Sequence, residues 1–235
     1  MIRTGLIVSA IAITLMAGIN LWLGAKLPAD NIPVHWGIDG QPDRFGDRAE
    51  ALAALWIIPA AAALTAIVLC IIPSIAPRRE NLRKSRKAYV WTWTATMLLL
   101  VGVHAGIAFM KWRWLSDSES VDANEFVRLV IAGTGILFIT LGNVLPKTRQ
   151  NFFLGVRTPW TLSSEYAWEK THRLAGRLFM ASGFICLIGA FVVDGIWLVS
   201  MLMACVLPSA LISVVYSYFA WRSAPDKAVG PDYIV

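Results

Sequence analysis

Long apolar runs recur along this chain of 235 residues, and they constrain the fold more than any other feature. Only 15% of the residues are charged, whereas soluble proteins carry about 25%. Apolar runs of about 18 residues or more are typical of transmembrane helices. The runs predict six spans, at 5–25, 49–75, 88–110, 126–145, 178–193 and 196–221. We therefore expect an all-α, polytopic membrane protein with six transmembrane helices.

The first run has a competing interpretation, a cleavable signal peptide. It is longer than the apolar core of a signal peptide, and no clear small-residue cleavage site precedes Pro28. An uncleaved first span is therefore favoured.

The positive charges between the runs predict an orientation. A basic cluster follows the second run and consists of Arg78, Arg79, Arg83, Lys84, Arg86 and Lys87. The segment after the fourth run is also basic, whereas the loops at 27–48, 111–125 and 194–195 are acidic or mixed. Because Lys and Arg accumulate in cytoplasmic loops, both basic segments should be cytoplasmic. Six spans then place both termini on the cytoplasmic side of the membrane.

This pattern divides the chain into four regions. Residues 1–75 form a two-span unit with an outer loop, and residues 76–125 hold the basic loop, the third span and an acidic outer loop. Residues 126–222 hold the last three spans and the second basic segment, and 223–235 form a polar tail. Orientation explains the net charge of +6, so no direct contact with nucleic acid is predicted.

Residues 27–48, which we call the outer island, contain His35, Trp36, Asp39 and Asp43. Several glycines and prolines exclude a regular helix and predict a compact loop held near the membrane. An imidazole with carboxylates can bind a divalent metal, which makes His35, Asp39 and Asp43 candidate ligands. The alternative, in which the aspartates form turns and His35 bonds locally, is favoured because the spacing does not fix ligand geometry.

Residues 143–176, which we call the inner island, interrupt the apolar pattern with polar and aromatic residues. Gly155 predicts a tight turn, and Thr158 followed by Pro159 should end any local helix. Thr161 or Ser163 can then cap a helix that reaches about Arg173. On that helix one face carries Glu165, Trp168, Glu169 and His172.

Three interpretations are open for the helix face that carries Glu165 and Glu169. A cation between Glu165 and Glu169, from Arg157 or protonated His172, would relieve the repulsion of like charges one turn apart. Glu169 and His172 have the spacing of a carboxylate–histidine metal pair in helical bundles. An ion pair between Glu169 and Arg173 is the simplest alternative and is favoured.

The apolar runs themselves contain few ionisable or metal-ligating side chains. His104 is the one histidine at membrane depth, and a neutral side chain bonded to a neighbouring helix is favoured over a proton-sensitive role. The cysteines have no metal-ligand spacing, and no cofactor is predicted. Tryptophans near the run ends are interpreted as interfacial anchors. They are Trp22, Trp56, Trp91, Trp93, Trp112, Trp114, Trp197 and Trp221.

Both islands carry recognisable motifs. Residues 151–162 read NFFLGVRTPWTL and are followed by Trp168 and by Thr171-His172-Arg173. This segment resembles the signature of the SdpI family of bacterial membrane proteins. The outer island, with Pro33-Val34-His35-Trp36 and Pro42-Asp43, is similar to the N-terminal domain of unknown function often joined to it. That domain often ends in Lys where this chain has Arg48.

The resemblance implies a non-enzymatic membrane protein that protects a cell from a secreted peptide toxin. It also implies a signal receiver that holds a transcriptional repressor at the membrane when toxin is present. The expected partners are membrane lipids, an antimicrobial peptide or toxin outside and a cytoplasmic repressor inside. The candidate contact residues are His35, Trp36, Asp39, Asp43, Asn151, Gly155, Arg157, Thr158, Pro159, Trp160, Glu165, Trp168, His172 and Arg173.

Two alternatives belong to other functional classes. A metal-dependent membrane enzyme would use His35, Asp39 and Asp43, but the chain has no nucleophile motif and no HExxH sequence. A small transporter is disfavoured because ion-coupled transporters usually carry carboxylates or broken helices at mid-membrane.

Overall fold

The computed structural model describes residues 1–37, 41–117 and 123–226, and this part of the chain is mostly helical. The elements in chain order are α1 (Ile2–Gly24), β1 (Ile32–Trp36), β2 (Pro42–Gly46), α2 (Arg48–Ile75), α3 (Arg79–Lys84), α4 (Arg86–Ser116), α5 (Ala123–Val144), a 3₁₀ turn (Leu145–Lys147), α6 (Pro159–Ser163), α7 (Glu165–Gly189) and α8 (Ile196–Arg222).

Five helices are long and apolar enough to cross a membrane, namely α1, α2, α4, α5 with its 3₁₀ extension, and α8. The helix α7 has 25 residues but is not among them. Its first half carries the charged residues Glu165, Glu169, Lys170, Arg173 and Arg177, which lower its mean hydropathy. Its apolar half alone corresponds to the predicted fifth run.

The all-α prediction is wrong at the outer island, where β1 and β2 form an antiparallel hairpin. Alternate residues Ile32, Val34 and Trp36 are apolar, and this period of two suits a strand with one buried face. Ile32 is fully buried in a cluster with Leu23 and Leu55. The hairpin is therefore docked onto α1 and α2 through its apolar face.

The helices α1, α2 and α4 form an N-terminal bundle in which Trp93 lies at the contact of α1 and α4. Trp93 is fully buried, and its Nε1–H donates to Ser9 Oγ at 2.8 Å. Its ring lies where a Cβ at Gly5 would be, 2.4 Å from Trp93 Cε3. The prediction that Trp93 is an interfacial anchor is therefore wrong, because the ring fills a notch made by a glycine on the neighbouring helix.

The helices α5 and α7 approach each other through two pairs of glycines. A Cβ at Gly135 would lie 2.7 Å from the carbonyl oxygen of Gly183, and one at Gly142 would lie 2.6 Å from that of Gly176. Small residues at such positions let membrane helices approach backbone to backbone. We call these two pairs the glycine seam, and α8 packs beside it against α7.

A further correction concerns the length of α7. The sequence predicted a short helix ending near Arg173 and a separate span beginning at 178, but one helix runs from Glu165 to Gly189. Ser164, rather than Thr161 or Ser163, caps it by accepting from the Ala167 N–H. No proline or glycine pair interrupts the chain between these segments, so the helical hydrogen bonds continue.

The two islands lie at opposite ends of the bundle. Phe153 and Leu154 of the inner island pack on the cluster that includes Met1. The hairpin lies at the other end, where Trp36 packs with Met110 and Trp114. The tail begins at the inner-island end, because Ser164 Oγ donates to Asp226 at 2.6 Å.

Candidate functional site

The exposed polar feature of the hairpin is a pair formed by His35 and Asp43. His35 Nδ1 lies 2.6 Å from Asp43 Oδ1, and the two side chains are 64% and 51% exposed. The pair joins facing strands, since His35 is on β1 and Asp43 is on β2. It therefore presents an imidazole edge and a carboxylate together on the outer surface of the hairpin.

Lys111 of α4 contacts the hairpin on the side that faces the helices. Lys111 is only 2% exposed, and its Nζ donates to the carbonyl oxygen of Pro33. Its ammonium also lies 5.4 Å from the centre of the Trp36 ring, within the range of a cation–π contact. This buried lysine therefore holds β1 against α4.

The remaining hairpin contacts are also structural. Asp47 caps α2 by accepting from the Glu50 N–H at 2.8 Å, and Arg44 pairs with Glu50 at 2.7 Å. Arg48 donates to the carbonyl oxygen of Gly24 at 2.7 Å, at the end of α1.

The proposed metal ligands are brought together only in part. His35 and Asp43 are in contact, whereas Asp39 lies outside the described residues. Within residues 1–37, 41–117 and 123–226, no group of three or more His, Cys, Asp or Glu side chains could hold a metal ion.

The inner island is built around Asn151, whose buried amide organises the turn that follows it. Asn151 Oδ1 accepts from the N–H groups of Phe153 and Leu154 at 2.8 and 2.7 Å, and its Nδ2 donates to the carbonyl of Arg149 at 2.7 Å. Asparagine is suited to this role because its short amide can bond nearby backbone groups. Asn151 therefore fixes the path of the chain into Gly155.

His172 reaches from α7 to the turn at Gly155. Its Nε2 accepts from the Val156 N–H at 3.0 Å, and its Nδ1 lies 2.8 Å from the carbonyl oxygen of Trp168. This arrangement requires the neutral ring with the proton on Nδ1. Burial lowers the pKa of His172 to about 4, which keeps the imidazole neutral.

Two of the alternatives given for His172 are wrong. It is not a cation between Glu165 and Glu169, because the ring is neutral and fully buried. It is also unsuited to a metal pair with Glu169, because both ring nitrogens already bond to backbone groups. The Trp168 ring stacks on it at 3.9 Å between centroids.

Glu169 is held by cations that flank it on the surface. Its oxygens lie 3.4 Å from Arg149 and 3.7 Å from Arg173. The favoured ion pair with Arg173 is therefore present, and Arg149 adds a second contact. Arg157, the other proposed cation, instead donates to the carbonyl of Phe152 at 3.0 Å.

Thr158 and Pro159 begin a helix rather than end one. Thr158 is the cap of α6 and forms a reciprocal capping box with Thr161, while Pro159 occupies the first turn, where its missing N–H is tolerated. Thr158 Oγ1 also lies 2.9 Å from Ser217 Oγ on α8. Trp160 packs edge-on against Tyr218 at 5.2 Å, so α6 is fastened to α8.

Comparison with known protein families identifies two stretches of the chain. Residues 147–217 match the SdpI/YfhL protein family, and residues 11–63 match a domain of unknown function, DUF1648. The C-terminal part of the chain therefore carries the features of the SdpI family. The immunity protein SdpI of Bacillus subtilis (strain 168) is 26% identical over 221 residues, which cover 92% of this chain and 95% of that protein. No solved structure matches the chain significantly.

The likeness to SdpI and the five apolar helices indicate a multi-pass protein of the bacterial inner membrane. The SdpI region begins at Lys147 and therefore contains the inner island contacts described above together with most of α8. The second match, at 11–63, contains most of α1, the hairpin and the first half of α2.

Sequence reasoning missed the residues that dock the SdpI region onto the basic loop. Arg78 donates to the Gln150 side chain and to the carbonyl of Leu162, and Asn81 donates to the carbonyl of Gln150 at 2.9 Å. The Arg149 N–H donates to Ser85 Oγ at 2.8 Å. Polar residues among the charges of the basic loop, Asn81 and Ser85, were the available signal.

His104 bonds to the backbone of Met16 on α1, which agrees with the interpretation of a side chain bonded to a neighbouring helix. The side chain is buried, and its Nε2 has no partner among residues 1–37, 41–117 and 123–226.

Proposed function

We propose that this chain is a non-enzymatic immunity protein that protects the bacterial membrane against a secreted, membrane-active peptide. The observation that carries the proposal is the likeness to the immunity protein SdpI, which extends over 92% of this chain and 95% of that relative. A likeness along the whole length includes both islands and all the apolar helices, so it supports a shared role rather than a shared module.

In this proposal the chain crosses the membrane six times, with the apolar half of α7 as the fifth span and α8 as the sixth, and both termini are cytoplasmic. Two observations support this topology. The basic residues of 78–87 and of the inner island lie at one end of the bundle, together with Met1 and Asp226. The hairpin lies at the opposite end, and cytoplasmic loops are the ones enriched in Lys and Arg.

The hairpin is the proposed receiver of the peptide. His35 and Asp43 are exposed, while Trp36 and Lys111 hold the strands in place. A surface fixed in advance loses less conformational entropy when it binds. Asp39, which lies between the two strands in the sequence, remains a candidate contact residue.

The inner island is proposed to have two roles. Asn151, Gly155, Thr158, Trp168 and His172 stabilise the fold, since each bonds or packs within the island or against its neighbours. The exposed rim around Arg157 is the proposed contact for a cytoplasmic repressor. We assign to the same rim the exposed residues Pro159, Glu165 and Arg173 and the half-buried Trp160.

These roles follow the proposed division of the chain. The unit 1–75 receives the peptide, 76–125 links the two halves, and 126–222 reports to the cytoplasm. The enzyme and transporter alternatives gain no support from the comparisons.

A sensitivity assay tests the proposal. Cells that lack this protein and cells that express it would be exposed to a panel of secreted peptide toxins and membrane-active antimicrobial peptides. Expression should protect against at least one of these peptides, and the double variant His35→Ala, Asp43→Asn should lose that protection at an unchanged protein level. Arg44→Gln, a hairpin change outside the pair, is the matched control. Equal survival with and without the protein across the panel would contradict the immunity role.

A further inference from the structure

A cleft lies between the beginnings of α1 and α4 and has a volume of about 270 Å³. It is lined by Met1, Arg86, Lys87, Val90 and Trp91. The side chains of Arg86 and Lys87 are exposed and have no ion pair within the described ranges 1–37, 41–117 and 123–226. Among the residues that the structure describes, no carboxylate lines the cleft. It therefore offers two cations to an anionic group beside an indole ring.

A second, apolar cleft of about 480 Å³ begins at the same tryptophan and follows the groove between α4 and α5. Its polar lining is restricted to Thr94 and Thr140, and the rest is aliphatic or aromatic. On α4 the residues Lys87, Trp91, Thr94 and Leu98 follow one another at helical spacing, so they share one face. The cationic cleft and the apolar cleft thus form one continuous surface.

The apolar cleft extends from Trp91 to about Gly102. A Cβ added at Gly102 would meet no atom within 4 Å, so the groove is open there. From Trp91 to Gly102 the helix rises by about 16 Å at about 1.5 Å per residue. The hydrocarbon core of a bilayer is about 30 Å thick, so this length equals about one leaflet. An acyl chain of one leaflet would fill this part of the groove.

The groove continues beyond Gly102 as another cleft of about 430 Å³ that reaches Arg113. The charge arrangement at that end is different, because Arg113 is paired with Glu125 at 2.8 Å. The basic residues without an ion pair in the described part of the chain, Arg86 and Lys87, therefore lie at one end of the groove. An anionic amphiphile would bind with its headgroup at that end.

From this juxtaposition we infer that the α1–α4–α5 surface is a binding site for an anionic phospholipid. The phosphate contacts Arg86 and Lys87, Trp91 lies at the level of the glycerol backbone, and one acyl chain occupies the groove as far as Gly102. Basic pockets between helices at a membrane surface are suited to anionic headgroups. The inference goes beyond the immunity function and does not depend on it.

The test compares lipids with the same acyl chains bound to the full-length purified protein. Phosphatidylglycerol and phosphatidylcholine would be added in equal amounts, and the lipid retained per protein would be counted by native mass spectrometry. The protein should retain phosphatidylglycerol preferentially. Each basic residue near a membrane surface contributes about 1 kcal/mol, so the double variant Arg86→Gln, Lys87→Gln should lower retention by about tenfold or more.

Two matched controls accompany these variants. Arg83→Gln, Lys84→Gln removes the same charge from exposed positions that do not line the cleft, and should change retention less than twofold. Gly102→Leu should reduce retention of both lipids, because the side chain fills the groove. Gly18→Leu adds the same side chain at another open glycine, on α1, and should have no effect.

Three results would overturn the inference. Equal retention in the two charge variants would show that Arg86 and Lys87 form no specific site. Binding of inorganic phosphate as tight as that of phosphatidylglycerol would show that the acyl chain does not contribute to binding. A complex of two chains that is lost in Gly102→Leu would show that a second copy fills the groove.

Discussion

The Nε2 atom of His172 occupies the space in which a side chain at residue 155 would begin. A Cβ built on Gly155 would lie 2.0 Å from Nε2, and Gly155 has a φ of +104°. Glycine is therefore required twice at this position, once for the backbone conformation and once for the approach of the ring. The turn and α7 are joined through this contact.

Gly155→Ala should destabilise the inner island strongly. The positive φ alone costs an alanine about 1–3 kcal/mol, and the ring of His172 must also move. Thermal unfolding in detergent would measure the effect as a lowered Tm. Gly18→Ala, at an open position on α1, should leave the Tm nearly unchanged. A Gly155→Ala protein as stable as the Gly18→Ala protein would contradict this interpretation of the turn.

The stability of the protein should fall in acid through His172. The unfolded side chain has a pKa of about 6.5, and burial lowers the pKa in the folded protein to about 4. Below about pH 6.5 the unfolded state takes up a proton that the folded state does not, so stability decreases until about pH 4 and then levels off. The contribution is about 3 kcal/mol across this interval.

The measurement is the Tm as a function of pH for the wild-type protein and for His172→Gln. The variant should be less stable at pH 7 and should lose this part of the pH dependence. His35→Gln, at an exposed histidine, should retain it. Parallel curves for wild type and His172→Gln would assign the acid sensitivity to another group.

Lys111→Met should loosen the hairpin without unfolding the helices. The change leaves the Pro33 carbonyl without its donor, and a buried unpaired polar group costs about 1–3 kcal/mol. Hydrogen exchange across 32–46 should become faster, while exchange in α5 and α7 stays the same. Lys26→Met, which removes an exposed lysine near Trp22, is the control. Unchanged hairpin exchange in Lys111→Met would show that the lysine is not the support.

The topology can be checked by labelling single cysteines with an impermeant maleimide. Cys70, Cys186 and Cys205 would first be changed to Ser. Arg44→Cys on the hairpin should react in spheroplasts, whereas Arg173→Cys on α7 should react only after permeabilisation. Reaction of Arg173→Cys from outside would reverse the proposed sidedness.

The His35–Asp43 pair should matter for protection and not for folding. An exposed side-chain pair of this kind contributes about 0–1 kcal/mol, so Asp43→Asn should shift the Tm little. Survival of peptide-treated cells should nevertheless decrease. A Tm that falls together with survival would identify Asp43 as a structural residue instead.

The apolar runs were sufficient to predict most of the helical architecture. The second and sixth runs, at 49–75 and 196–221, agree with α2 and α8 to within a residue at each end. The hairpin was not predicted because its strands have only five residues each and contain proline or glycine. Such short strands form here because α1 and α2 supply the buried surface, which is a tertiary effect.

The inner island shows a similar limit. The sequence placed Trp168 and His172 on one face with Glu165 and Glu169, but only the two ring residues are buried. The glutamates lie at the edge of that face, and the residues that cover the rings, Thr148 and Val156, come from the preceding loop. Helical periodicity alone cannot indicate how a loop folds back over a helix.

The continuity of α7 has a mechanical consequence. The ring of His172 and the backbone of Gly176 are one helical turn apart on the same rigid rod, and Gly183 lies two turns further along it. A force that tilts α7 at its inner-island end must therefore also move its backbone relative to that of α5 at the glycine seam. A helix built in this way transmits displacement over its whole length instead of absorbing it at a joint.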